Sequence, residues 1–175
     1  MIAARKSMWV LFGLFLISGW LLGSPTQVGA ETMNFKLYTY VVRGESVPID
    51  DVEGHVVNLL VRRSFYAFEN GEVAIVNAVS TGDFIKGSGP FMNYLTITFP
   101  DGSTMIVKGQ GTVGGAAAGT LAAGGWKSEI IKGTGRFEGI KGTLTSKAKY
   151  LPLEKGEAGS KGYGEGTITY TLPSK

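Results

Sequence analysis

The chain has 175 residues, a formal net charge of +3, 43% hydrophobic residues, 27 glycines, one histidine and no cysteine. Without cysteine there is no disulfide framework, no thiolate nucleophile, no zinc–thiolate site and no lipid-modified cysteine behind a signal. The positive charge forms no basic stripe interleaved with aromatics, which argues against a nucleic-acid partner.

The first segment reads as a secretory signal. Arg5 and Lys6 precede an apolar run over residues 8–22, interrupted only by Gly13, Ser18 and Gly19. Gly23, Ser24 and Pro25 break any helix, and Val28 and Ala30 place small residues where signal peptidase reads them. The run is about fifteen residues, short of the roughly 20 that span a bilayer, so cleavage after Ala30 is expected in preference to an uncleaved anchor. Residues 1–30 are then the signal, and 31–175 a single periplasmic or secreted domain with no membrane association after cleavage. Arg5 and Lys6 carry most of the net charge away with them, leaving a near-neutral domain.

From there strand signals run to the end of the chain, with no sustained helical period. Residues 34–43 alternate, with Phe35, Leu37, Thr39 and Val41 on one face and Tyr38 and Tyr40 on the other. A loop is expected over 44–54, then one long or two short strands over 55–68. Asn70-Gly71 is a hairpin signal, because both residues adopt positive φ at little cost. Strands follow at 73–80 and 83–86. Over 91–99, Phe91, Leu95, Ile97 and Phe99 oppose Met92, Tyr94, Thr96 and Thr98. Pro100-Asp101-Gly102-Ser103 is a second hairpin signal before 104–110. The Ala/Gly stretch 114–125 reads as loop, and 126–132, 140–150 and 166–172 complete about eight strands.

With no crossover helix the sheet is antiparallel, and about eight such strands suit a closed β-barrel, with a two-sheet sandwich as the alternative. One face of 140–150 is solvated, through Lys141, Thr143, Thr145, Lys147 and Lys149. By contrast Val56-Val57, Leu59-Leu60 and 73–79 are apolar on both faces, and no helix is available to cover the outside. A second subunit is the simplest cover, which predicts a homo-oligomer.

Two stretches carry a family resemblance: GSTMIVKGQG from Gly102, and KGTGRFEGIKGTLTSKAKYL from Lys132. They resemble allene oxide cyclases and plant dirigent proteins, in which a strand ending in glycine leads through a loop to a GTG-aromatic-x-G-x-x-G turn. The chain resembles still more closely exported bacterial proteins with the same barrel signature. The resemblance implies an eight-stranded antiparallel barrel that trimerises, and an activity of the cyclase/isomerase or stereo-guiding kind. The cyclases' cavity set includes a cysteine, which this chain lacks. In the turn itself, Gly133, Gly135 and Gly139 read as backbone geometry that tucks Phe137 under the barrel end, with Arg136 and Glu138 exposed. A phosphate cradle would need Gly-Lys-Ser/Thr and a following helix, and neither is present.

Catalytic signals are sparse. His55 is the one histidine and starts a strand beside Asp50, Asp51 and Glu53; the spacing matches no calcium loop, and no Ser-His-Asp set can be assembled. No metal and no cofactor is expected. A small barrel either fills with side chains or holds one small ligand. Gly109, Gly142 and Ala148 are expected to leave space, and Phe91, Tyr94, Trp126, Glu129 and Tyr150 are the candidate ligand-binding residues. The leading expectation is an exported barrel that binds a small apolar or amphipathic molecule in its cavity. A cyclase, isomerase or stereo-guiding protein and a structural envelope protein with a filled barrel are the alternatives.

Overall fold

The structure, a computed structural model, describes residues 29–116 and 120–174, so the expected signal lies, apart from Gly29 and Ala30, outside the described residues. The strands are β1 (Glu31–Pro48), β2 (His55–Phe68), β3 (Val73–Ile85), β4 (Gly89–Thr98), β5 (Thr104–Gly114), β6 (Ala122–Thr134), β7 (Lys141–Tyr150) and β8 (Lys161–Thr171). Each pairs antiparallel with the next. β1 also pairs with β8, from Glu31 opposite Tyr170 to Tyr40 opposite Lys161. The sheet is thus a closed barrel and not a sandwich, and closure leaves no edge strand open to another chain.

Two hairpins are set by their turn chemistry. Gly71 and Gly102 adopt φ of 85° and 80°. Beside them the Asn70 side chain accepts from the Glu72 amide at 3.0 Å and Asp101 accepts from the Ser103 amide at 2.9 Å, so each side chain stands in for a backbone turn bond. One extra residue in β1, Val42, and one in β6, Ile131, shift the pairing register. Such bulges bend and twist a strand, which helps a short sheet to close.

Several strands are longer than the sequence suggests. The expected loop 44–54 is strand as far as Pro48, because after the bulge Gly44 to Pro48 pair with Leu60 to Val56. Residues 83–86 are no separate strand, since β3 runs unbroken to Ile85. The Ala/Gly stretch is strand up to Gly114 and again from Ala122; residues 117–119 lie outside the described residues. β8 starts at Lys161, five residues earlier than expected. In each case ladder pairing with a fixed neighbour overrides weak local propensity.

The turns 69–72, 99–103 and 135–140 lie at one end of the barrel, here the floor, and the connections 49–54, 86–88 and 151–160 at the other, the mouth. The floor half is filled. Phe35 stacks on Tyr66 with ring centroids 4.1 Å apart, Phe68 on Phe99 at 5.5 Å, and Phe99 meets Phe137 at 4.8 Å. Val76, Ile97, Met105, Val107, Leu144 and Ile168 pack there with essentially no exposure. At roughly 1.5–3 kcal/mol for each large side chain buried, this half is the main source of stability. Val76 is thus an inward residue of β3, while its neighbours Ile75 and Asn77 face out.

Candidate binding cavity

Towards the mouth the packing opens. A cavity of ≈ 70 Å³ lies inside the barrel, enclosed by inward residues of β1 to β7. One water needs about 10–15 Å³ on this scale, so the space takes several waters or one small organic molecule. Its apolar wall includes Leu37, Leu60, Phe84, Phe91, Leu95 and Val113. Trp126 and Tyr150 add aromatic faces, and Phe91 meets Trp126 edge to face at 6.2 Å.

Three of the five aromatic and acidic candidates, Phe91, Trp126 and Tyr150, line this cavity. Tyr94 does not. It lies on the outer face of β4, where Lys108 sits 5.6 Å from its ring centre. Glu129 is also corrected: it is exposed on the outside of β6, while Ser128 and Ile130 on either side of it are buried. Both corrections follow from strand parity, since an odd number of residues separates opposite faces: Tyr94 lies three after Phe91, and Glu129 three after Trp126.

Gly109, Gly142 and Ala148 make none of the space. A Cβ on Gly109 would strike the Ser128 side chain, and one on Gly142 the Thr169 carbonyl, so these glycines let neighbouring strands approach closely. The residues that open the cavity are instead Ala78, Ser64 and Ser80, whose small side chains face inward on adjacent strands.

The polar lining is what the sequence reading missed. Asn58, Arg62 and Asn93 all point inward from β2 and β4. The Asn58 Oδ1, Asn93 Oδ1 and Trp126 Nε1 atoms are buried and have no hydrogen-bond partner among the described residues. Arg62 donates from Nη1 to the Ser160 carbonyl at 3.3 Å and from Nη2 to the Ser160 hydroxyl at 3.1 Å, and lies over the Tyr150 ring at 5.4 Å. Burial pulls the Arg62 pKa below its ordinary value, partly countered by Tyr150, and burial raises those of Tyr150 and Tyr66. No carboxylate or histidine among the described residues lines the cavity. Parity could have found Arg62 and Asn93, which share a face with Ser64 and Tyr66 and with Leu95 respectively.

The GTG turn closes the floor. Gly135 and Gly139 adopt φ of 62° and 73°, and a Cβ on Gly133 would collide with the Phe137 carbonyl. Phe137 is buried beneath the barrel, and Arg136 covers it. The Arg136 guanidinium lies 4.7 Å from the ring centres of both Phe99 and Phe137, and its Nη2 donates to both Glu72 carboxylate oxygens at 2.7 Å. Arg136 is therefore pinned, not the free surface residue its place in a turn suggests.

The closed eight-stranded antiparallel barrel has a dirigent-like fold. Two solved structures of pterocarpan synthase dirigent proteins share it. PsPTS1 is 14% identical, with a TM-score of 0.50 over 83% of this chain and 97% of its own. GePTS1 is 12% identical, with a TM-score of 0.50 over 96% of this chain and all 100% of its own. No family model matches the chain, and no curated protein matches it in sequence.

Proposed function

We propose that this protein is an exported barrel, periplasmic or secreted, that binds a small apolar or amphipathic molecule in its cavity and does not transform it. The observation that carries the reading is the pairing of an open, aromatic-walled interior with three buried polar atoms that lack partners among the described residues. A buried polar group without a hydrogen bond costs about 1–3 kcal/mol, so a cavity that holds three of them side by side with apolar walls suits a guest that satisfies them. The same feature counts against a filled structural barrel. Native mass spectrometry of protein purified from its own host tests the proposal: a retained small molecule is expected. A barrel recovered empty, in which Trp126→Ala neither changes stability nor any ligand uptake, would sink it.

The second reading is a cavity that steers or isomerises a reactive intermediate, drawn from the likeness to pterocarpan synthase dirigent proteins. It is the weaker one. The titratable groups lining the cavity are Arg62, Tyr66 and Tyr150, and burial holds both phenols in their neutral form near pH 7, leaving no general base.

The outer face supports a homo-oligomer, for which the family resemblance favours a trimer. Leu59, Val79, Met92 and Tyr94 are exposed on adjoining outward rows of β2, β3 and β4, and Phe65 and Ile75 form a second exposed apolar pair beyond Arg63 and Asn77. Contiguous apolar surface of this kind marks an interaction site, and a second copy of the chain is the occupant proposed for it.

A further inference from the structure

We propose that the cavity is selective for anions, with Arg62 as the counter-ion to the carboxylate of a small amphipathic acid whose apolar body packs against Phe91, Leu95 and Trp126. This rests on the binding reading above and names the class of guest. Arg62 is a part-buried charged side chain inside the barrel, and a charge largely withdrawn from water is paired as a rule, because desolvating a lone ion is costly. Among the described residues it has no carboxylate within ion-pair distance, and both of its hydrogen bonds go to neutral oxygens of Ser160. A guanidinium has five N–H donors, so those two bonds leave donors for a guest.

Of the polar groups that share the cavity with Arg62, one can only donate and two can donate or accept. The Trp126 indole N–H is a buried donor with no acceptor among the described residues. The side-chain amides of Asn58 and Asn93 can turn either their oxygen or their NH2 towards the cavity, so they too can donate. No acidic side chain competes for these donors within the lining. A carboxylate would accept from Arg62 through a charge-assisted bond, stronger than the one the Ser160 oxygens provide. The apolar side chains of the wall leave the rest of the guest dry, and the cavity volume of ≈ 70 Å³ limits it to one ring or a short chain.

The test is calorimetric titration with phenylacetate and hexanoate, each against its own amide, using the protein in the form recovered from its host. The acids are expected to bind at least about ten-fold more tightly than phenylacetamide and hexanamide. The indole N–H resonance of Trp126, assigned by its loss in Trp126→Phe, should move on binding. Arg62→Gln should remove the acids' advantage over their amides. Equal or tighter binding of the amides overturns the anion inference and leaves the binding reading standing. Failure of all four probes overturns the inference as well, and, with an empty barrel in native mass spectrometry, the binding reading with it. Should Arg62→Gln not fold, the comparison of acid with amide on the unmodified protein decides the matter alone.

Discussion

At the scale of single residues, the floor turn shows how a conformational demand and an ion pair share one structure. Gly135 sits at φ 62°, and a Cβ there would meet the Ser103 side chain, whose hydroxyl accepts from the Arg136 amide at 3.1 Å. Gly135→Ala combines positive φ with a steric clash, and unfolding in denaturant should show a loss of more than about 1 kcal/mol. Arg136 holds Glu72 through two oxygens, lies 3.6 Å from Asp101 and covers two aromatic faces, but its side chain is 40% exposed. Solvent discounts the ion pair, and the ring contacts remain. Arg136→Ala should therefore cost about 1 kcal/mol, above the ~0.5 kcal/mol usual for a surface change, and Arg136→Lys should recover only part of it, since an ammonium lacks the planar guanidinium that lies over Phe99 and Phe137. A variant as stable as the parent would show that the Glu72 pair contributes nothing.

At the scale of elements, the mouth is tied by a histidine. His55 at the start of β2 bonds Asp51 of the preceding turn through Nδ1 at 2.5 Å and Asp83 of β3 through Nε2 at 2.7 Å. These bonds, that to Asp51 first, raise the His55 pKa, and the bond to His55 lowers that of Asp51. A raised histidine pKa gives a contribution fully present below the ordinary value of 6.5 and lost as pH rises through the folded one. The lowered Asp51 pKa gives one present above 3.8 and lost as pH falls through the folded value. The clamp is thus closed in the mildly acidic range and opens on the alkaline side. Hydrogen exchange at the Lys86 amide, bonded to the Gly54 carbonyl at 2.9 Å, should lose protection above neutral pH beyond the intrinsic rate change, and His55→Gln should abolish that dependence. Sequence reading placed both hairpin turns, the inward set Phe35, Leu37, Thr39 and Val41, and about eight antiparallel strands, because each rests on local chemistry or on alternation. It missed the strand ends at the mouth, since Gly44 to Pro48 and Gly114 are extended only by what they pair with. It missed the polar half of the cavity for a different reason. Asn58, Arg62 and Asn93 interrupt apolar faces and look like surface residues until the barrel closes around them.

At the scale of the whole molecule, the outer surface has two unlike sides, and this sets the last prediction. On β6 and β7 the outward residues include Lys127, Glu129, Lys147 and Lys149, a face that water can solvate. On β2 to β4 the pairing places Val79 between Val61 and Tyr94 with Leu59 and Met92 on the next outward row, while Ile75 beside Phe65 forms a second apolar pair beyond the hydrogen-bonded Arg63 and Asn77. Val79 and Ile75 are each 48% exposed in the single chain, hydrophobic area that association would remove from water. Light scattering on the purified protein should report an oligomer, three copies by the family resemblance. Val79→Lys, or Val57→Lys nearer the mouth, should dissociate it to a folded monomer, because an unpaired charge buried in an apolar interface costs several kcal/mol. Val76→Lys should behave differently. That side chain points into the packed interior with 0% exposure, so the charge should unfold the barrel and not divide the assembly. Thr145→Lys, on the solvated face of β7, should leave mass and melting as they were. A monomer for the unmodified protein, or an oligomer that Thr145→Lys dissociates and Val79→Lys does not, would move the interface away from β2 to β4.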